Sequence, residues 1–310
     1  MILNDGNKGA AELRRLTGSY YANNEFALIE SDVMQAEDEV RQIVSDAVFD
    51  KAETLYHEGV STDAEDRFLT LVQRSVALLA TLNFARKNDV SHEDSGRKVK
   101  TSTDDSEKIP WQWQLDRDDQ VHLEAYYAAV EALIRELNKT KLQEWTESEQ
   151  YMAAQTLLIH SGRDFDKYFP INKSERMFIL LIGFIREVQL SVIAPAYGKS
   201  FDQIVAEDLT PESDCHFAAC KATALFAMAA ALHRMPLSLI PVGVVREYAA
   251  TNGSRTSSPA TIGEIRTVCD WLEADGMKWV GLMKDYRDGD TGEHVQIIPT
   301  NNKHNKFFRT

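Results

Sequence analysis

The sequence has few of the features by which a secreted protein is recognised. Its three cysteines, Cys215, Cys220 and Cys269, are too few and too unevenly spaced for a disulfide framework. Free cysteines are typical of a reducing, intracellular compartment. The first residues contain no apolar stretch of the kind that a secretory signal requires. We therefore expect a cytoplasmic protein.

Catalytic motifs are also missing. The sequence lacks the nucleophile-elbow pattern GxSxG, the zinc-protease pattern HExxH, a phosphate-binding P-loop, and GxGxxG after a strand. We expect no enzymatic activity and no cofactor. The formal net charge of −14 argues against a free-standing nucleic-acid binder, because phosphate neutralisation requires clustered Lys and Arg, and we expect no sequence-specific nucleic-acid partner.

No apolar run is long enough for a convincing membrane span. Residues 222–232 form the longest run, about half of the ~20 residues that a bilayer requires, and His233 and Arg234 end it. A second run, residues 177–185, is shorter. We expect both to be buried helices and predict no membrane partner.

What the sequence does contain is helical periodicity. Apolar residues recur at helical spacing, as in Val33, Ala36 and Val40, and acidic residues lie between them. Strand signals are sparse and are strongest at 90–100 and 237–248, with a further hairpin predicted near 288–298. The pattern predicts a mainly α protein with small β-strand or hairpin pieces.

Two segments resemble each other. Residues 75–96 align without a gap over residues 222–243, so that Ala77 meets Ala224 and Leu78 meets Leu225. Upstream, residues 40–50 match residues 192–202 at a slightly different offset. The alignment predicts an internal duplication; chance similarity between alanine-rich helices is the alternative. The predicted organisation is an N-terminal arm (1–25), a first helical unit (26–160), a second helical unit (161–300) and a basic C-terminal tail (301–310).

One helix carries soft metal ligands. His216 and Cys220 lie four positions apart, on one helical face, and Cys215 precedes them. No second pair of this kind completes a metal cage, so Cys215, His216 and Cys220 are weak zinc candidates. The simpler interpretation is a partly buried helix with ordinary small apolar cysteines.

Four aromatic residues are candidate interaction anchors. Trp111 and Trp113 lie beside a polar loop, and tryptophan is enriched in interface hot spots. Phe307 and Phe308 lie among the cations of the tail and suit an acidic partner. The alternatives are that the tryptophans pack on a neighbouring helix, and that the tail is disordered or packs on its own protomer.

The order of these elements resembles a known family. An amphipathic helix, a short helix opening with Phe-Asp (Phe49, Phe201), a long alanine-rich helix and an extended segment ending in glycine recur as a unit. This order is similar to the helical head–tail connector (adaptor) proteins of tailed phages, and to an uncharacterised prophage-associated family of Bacteroides-type bacteria.

The resemblance implies a non-enzymatic assembly protein that contacts further copies of itself and portal or tail proteins, located in the cytoplasm or the virion. The chain is about three times as long as a usual connector. Two other functions stay open: a helical metal-dependent enzyme or binding protein that uses Cys215, His216 and Cys220, and a host scaffold unrelated to phage.

Overall fold

The computed structural model describes residues 1–21, 23–89, 91–93, 96–98, 111–203, 213–235, 245–249, 255–259 and 261–289. Contacts divide the chain into two compact units, Met1–Met152 (unit 1) and Ala153–Thr310 (unit 2). The division falls a few residues before the predicted one. The predicted fold class is confirmed, because the described residues are mainly helical.

Unit 1 consists of six helices and one hairpin among its described residues. Short 3₁₀ turns join its first helices. In chain order the elements are α1 (Gly9–Thr17), α2 (Glu30–Val44), α3 (Asp46–Glu58), α4 (Asp63–Asn88), the antiparallel strands β1 (Ser91–Glu93) and β2 (Gly96–Lys98), α5 (Gln112–Thr140) and α6 (Gln143–Thr146).

The centre of unit 1 is α4. It begins with a capping box, in which the Glu65 amide donates to the Thr62 hydroxyl and the Thr62 amide donates to the Glu65 carboxylate. This reciprocal pair satisfies amides that lack a partner within the helix. Large apolar side chains such as Val72, Val76 and Leu82 are then buried against α5, α2, α1 and α3.

The N-terminal segment packs into this core. Ile2 and Leu3 are buried, and the Ile2 carbonyl accepts a hydrogen bond of 2.8 Å from the Gln73 side chain of α4. The Ile2 amide donates to Glu37 at 2.8 Å, and the Met1 ammonium pairs with Glu53. The first part of the predicted arm is therefore part of unit 1.

Unit 2, like unit 1, contains a long buried helix with other helices packed against it. Helix α7 (Glu149–Gln155) runs through the division between the units. The elements that follow are α8 (Gly162–Phe165), α9 (Glu175–Val188), the π-helical segment Gln189–Ile193, α10 (Ala194–Tyr197), α11 (Phe201–Gln203), α12 (Asp214–Arg234), the antiparallel strands β3 (Val245–Ala249) and β4 (Arg255–Pro259), and α13 (Ile262–Asp288).

The centre of unit 2 is α12, whose buried residues are mostly alanines. These small side chains allow α13 to approach closely along its length. At Gly276 of α13, an added Cβ would lie 2.7 Å from the Phe226 ring of α12. Glycine is thus required here by the ring that fills its place.

Both units contain a long buried helix, then a two-stranded hairpin, then a second long helix packed on the first. This common order supports the proposed duplication, which stays a prediction. Strands were predicted within 90–100 and 237–248. The first segment forms the hairpin of β1 and β2; β3 overlaps the second segment, whereas its partner β4 lies beyond it. The hairpin predicted near 288–298 lies mostly outside the described residues.

Three described helices are long and apolar enough to cross a membrane by length and composition alone. Two of them are the central helices α4 and α12, in which 67% of the most apolar stretch is buried inside the protein. The third is Glu175–Tyr197, with 44% of that stretch buried. Burial in the protein core accounts for the apolar character of α4 and α12.

Candidate interaction surface

The tryptophan pair lies at the beginning of α5, with Trp111 as the N-cap residue and Trp113 in the first turn. The helix was predicted to begin near residue 119, and it begins at Gln112. The Trp111 amide donates to the Gln114 side chain at 2.9 Å, and the Gln114 amide donates to the Trp111 carbonyl at 2.8 Å. These two bonds close the first turn and fix the backbone that carries both indoles.

Both indoles are exposed to solvent. Trp111 is 71% exposed and Trp113 is 59% exposed, and Val121 two turns further along is also exposed. The alternative in which the tryptophans pack on a neighbouring helix is therefore wrong. Two exposed tryptophans close together in the sequence are typical of a protein–protein contact.

The surface around these indoles is acidic. Residues 111–124 contain four carboxylates and a single cation, Arg117. A second nearby cation, Arg86 of α4, is already paired with Asp119 at 2.7 Å. We call the cluster of Trp111, Trp113, Asp116, Asp118 and Val121 the α5 tip.

The α5 tip stands on a rigid base. His122 is buried, its ring stacks on Tyr20 at 3.8 Å between centroids, and its Nε2 lies 2.9 Å from the Thr81 hydroxyl of α4. Burial lowers the pKa of His122, whereas Asp118 and Asp119 act in the opposite direction. The imidazole is thus neutral at pH 7, and it anchors α5 to α4 about two and a half turns after Trp113.

The acidic character of the α5 tip is shared by unit 1 as a whole. Unit 1 contains 30 Asp and Glu against 17 Lys and Arg, a net charge of −13, whereas unit 2 contains 18 against 17, a net charge of −1. Nearly all of the chain's net charge therefore belongs to unit 1. A partner that docks on unit 1 gains from positive charge.

The cysteine helix does not assemble the predicted ligands. Cys215 donates to the Met283 carbonyl of α13 at 3.6 Å, whereas Cys220 donates to the Leu158 carbonyl at 3.8 Å. Only His216 and Cys220 remain together, with Nε2 and Sγ 3.5 Å apart. Among the described residues, no group of three or more His, Cys, Asp or Glu side chains could hold a metal ion.

The remaining pair, His216 and Cys220, is in an unreactive protonation state. Burial raises the pKa of the Cys220 thiol to about 12, and burial, aided by His160, lowers the pKa of His216. The thiol is thus protonated and the imidazole is neutral at pH 7. Because the thiolate is the nucleophile and the metal ligand, this geometry fits the simpler interpretation of a packed helix.

A polar cleft of 460 Å³ lies elsewhere in unit 1. Its one cation, Arg41, is held by Asp50 at 2.5 Å and by Asp46 at 3.6 Å. This cation is therefore already paired with carboxylates, one of which lines the cleft. Its lining residues are Asp38, Arg41, Gln42, Ser45, Asp46, Glu149 and Gln150.

Unit 2 contains a buried polar atom without a partner among the described residues. Gln189 accepts a 2.7 Å hydrogen bond from the Leu158 amide through Oε1, but its buried Nε2 has no acceptor. The residue begins the π-helical segment Gln189–Ile193. An unsatisfied buried donor costs about 1–3 kcal/mol, so Gln189 marks local strain in unit 2.

The last two candidate anchors, Phe307 and Phe308, lie outside the described residues. Trp111 and Trp113 could be named from the sequence because of their residue type. The anchoring role of His122 and Tyr20 was missed, because nothing in the sequence links two residues so far apart.

Comparison with known proteins gives one match. The model of a family of unknown function (DUF6712) matches residues 32–155, which extend from α2 to the end of α7. No curated protein and no solved structure matches the chain. The matched region includes the α5 tip, His122 and Thr81, whereas Tyr20 lies outside it.

Proposed function

We propose that this chain is a non-enzymatic assembly protein that acts through protein–protein contacts, and that the α5 tip is its principal contact. The observation that carries the proposal is the exposure of Trp111 and Trp113, at 71% and 59%, on the first turn of a helix. Burying a pair of indoles releases a large apolar area from water. Few other features of the described surface offer as much.

The rigid base strengthens this proposal. Ordering a mobile side chain or loop costs binding energy, and a preformed anchor avoids that cost. The Tyr20–His122 stack and the ion pair between Arg86 and Asp119 hold the beginning of α5 in place before a partner arrives. The α5 tip is thus preorganised for docking.

The proposed biological setting is phage or prophage head–tail assembly. Its support is the resemblance of the sequence to helical connectors, together with the order of long helix, hairpin and long helix that both units share within the described residues. In this setting the partners are further copies of the chain and a portal or tail protein, and the site of action is the cytoplasm or the virion. The acidic surface of unit 1 then faces the less acidic parts of its neighbours.

Sedimentation velocity over a range of protein concentrations tests this proposal. We expect the wild-type chain to self-associate and the double variant Trp111→Ala/Trp113→Ala to associate at least about tenfold more weakly, a change of about 1.4 kcal/mol. Trp271→Ala is the matched control, because Trp271 of α13 is 66% exposed. This control is expected to associate like the wild type.

Two outcomes would contradict the proposal. One is a wild-type chain that stays monomeric at every concentration. The other is equal association of the wild type, the double variant and the Trp271 control. Circular dichroism of each variant would confirm that the helices are intact.

A further inference from the structure

The α5 tip offers two kinds of contact at once. Its indoles provide flat aromatic faces, and Asp116 and Asp118 add negative charge within two turns of them. Cations on aromatic faces and cations beside carboxylates are both favourable arrangements. A segment that contains both cations and aromatic rings would therefore complement the α5 tip.

The chain itself contains such a segment. Residues 303–309 read KHNKFFR, with the cations Lys303, Lys306 and Arg309, two adjacent phenylalanines and no acidic residue. Two phenyl rings match the two exposed indoles in number. Its cations are complementary in sign to the acidic residues 111–124, where four carboxylates stand against Arg117 and one of the four, Asp119, is already paired with Arg86.

Charge disfavours a contact between two copies of the α5 tip. A twofold contact would bring two units of net charge −13 face to face. Like charges placed together across an interface are repulsive and suppress that pairing. A contact between the α5 tip and a different, basic segment avoids the repulsion. Such a head-to-tail contact builds a ring when the rotation closes.

We propose that residues 303–309 of one copy dock on the α5 tip of a second copy, with Phe307 and Phe308 against Trp111 and Trp113. This inference rests on the proposed function, since it names the partner of the same site. The contact is heterologous, because it joins two different surfaces. Each copy offers its α5 tip to one neighbour and its residues 303–309 to another. Its strength falls as salt concentration rises, because the charge pairs lie at an exposed surface.

Photo-cross-linking in the full chain tests this inference. Trp113 is replaced by the photoreactive amino acid p-benzoylphenylalanine, and the chain is mixed with an equal amount of ¹⁵N-labelled chain. After irradiation, mass spectrometry identifies the cross-linked peptides and shows whether they come from one copy or two. The same amino acid at Trp271 is the matched control, because its exposure of 66% lies between those of Trp111 and Trp113.

We expect cross-links from position 113 to residues 303–309 with mixed isotopes, which identify two different copies. Position 271 is expected to give at least about fivefold fewer cross-links to this segment. Phe307→Ala/Phe308→Ala in the partner copy is expected to reduce the yield from position 113 by at least about fivefold. Raising the salt from about 0.05 to 0.5 M is expected to reduce it further.

Several outcomes would overturn the inference. Cross-links within one copy only would show that the segment docks on its own chain. Equal yields at positions 113 and 271 would show nonspecific contact of a basic segment with an acidic protein. Cross-links from position 113 to another part of a second copy, with association still dependent on Trp111 and Trp113, would remove this inference and leave the proposed function standing. If the proposed function also failed, the wild-type chain would stay monomeric in the sedimentation experiment.

Discussion

Unit 1 packs its central helix with large side chains, whereas unit 2 packs its central helix with alanines. Helix α4 buries large apolar side chains such as Val72, Val76 and Leu82, with smaller and polar residues between them. Helix α12 buries a run of alanines over most of its length. The same order of elements is thus built in two ways, by interlocking side chains in one unit and by close approach of helices in the other.

The two units also differ at the surface. Unit 1 has a net charge of −13 and carries the exposed tryptophan pair, whereas unit 2 is almost neutral. A solvated acidic surface keeps copies apart until a complementary segment meets it. Under the proposed function, unit 1 presents the contact and unit 2 supplies a close-packed frame.

Exchanging corresponding residues between α4 and α12 would test the packing difference. We expect this exchange to have the largest effect on the free energy of unfolding. Leu82 aligns with Ala229, and both are almost completely buried. Leu82→Ala would leave a cavity and lower the free energy of unfolding of unit 1 by about 2–5 kcal/mol. Ala229→Leu would overpack α12 and cost about 1–3 kcal/mol in unit 2.

Native-state hydrogen exchange read by mass spectrometry would assign each loss to its unit, through the amides of α4 and of α12. Val60→Ala is a control for unit 1, since Val60 is 40% exposed and loses little packing. Tolerance of both exchanges, with changes of less than about 0.5 kcal/mol, would mean that the two helices pack interchangeably.

The central helices could be read from the sequence almost completely, and their surroundings could not. The capping pair Thr62 and Glu65 has the spacing of a helix N-terminus in the sequence and marks the beginning of α4 in the structure. The first turns of α5 were missed, because a helix that stands out in solvent has no buried face and shows no apolar periodicity. Strand β4 was missed for a related reason. Its residues become a strand only by pairing with β3, a contact that the local sequence does not reveal.

The candidate contact was predictable only in part. Trp111 and Trp113 were identified by residue type, but tryptophan is as common in cores as at interfaces, and their exposure needed the structure. The base under them depends on Tyr20 and His122, which lie far apart along the chain. Sequence spacing carries no signal for such a pair.

Substitution of two glycines in α13 would sharpen the evidence for close approach in unit 2, with an intermediate effect. Gly276→Ala would place a Cβ 2.7 Å from the Phe226 ring, which would have to move within an alanine-packed interface. We expect a loss of about 1–3 kcal/mol. At Gly281 in the same helix, an added Cβ would meet nothing within 4 Å. Gly281→Ala should therefore gain about 0.5–1 kcal/mol from helix propensity.

Thermal unfolding of the two glycine variants, followed by circular dichroism, would measure both effects under one set of conditions. Opposite signs would establish that α12 and α13 approach closely at Gly276. A stabilising effect at both positions would show that the Phe226 ring yields freely, and would remove this contrast between the units.

The smallest expected effect concerns the histidine beneath the α5 tip. Burial lowers the pKa of His122, so the folded unit keeps a neutral imidazole at a pH where the unfolded chain binds a proton. The stability from this residue is therefore complete above the ordinary pKa of histidine, about 6.5. It is lost as the pH falls below that value towards the lowered pKa of the folded state.

His122→Phe keeps a ring to stack on Tyr20 but cannot titrate, and the Thr81 hydroxyl keeps its hydrogen bond of 2.8 Å to the Ala77 carbonyl. We expect its urea-unfolding free energy to fall less between pH 7.5 and 5.5 than that of the wild type. All other groups titrate in both proteins, so the difference isolates His122. An identical pH dependence would mean that this imidazole accepts its proton without leaving the stack, and that the base of the α5 tip is less rigid than its geometry indicates.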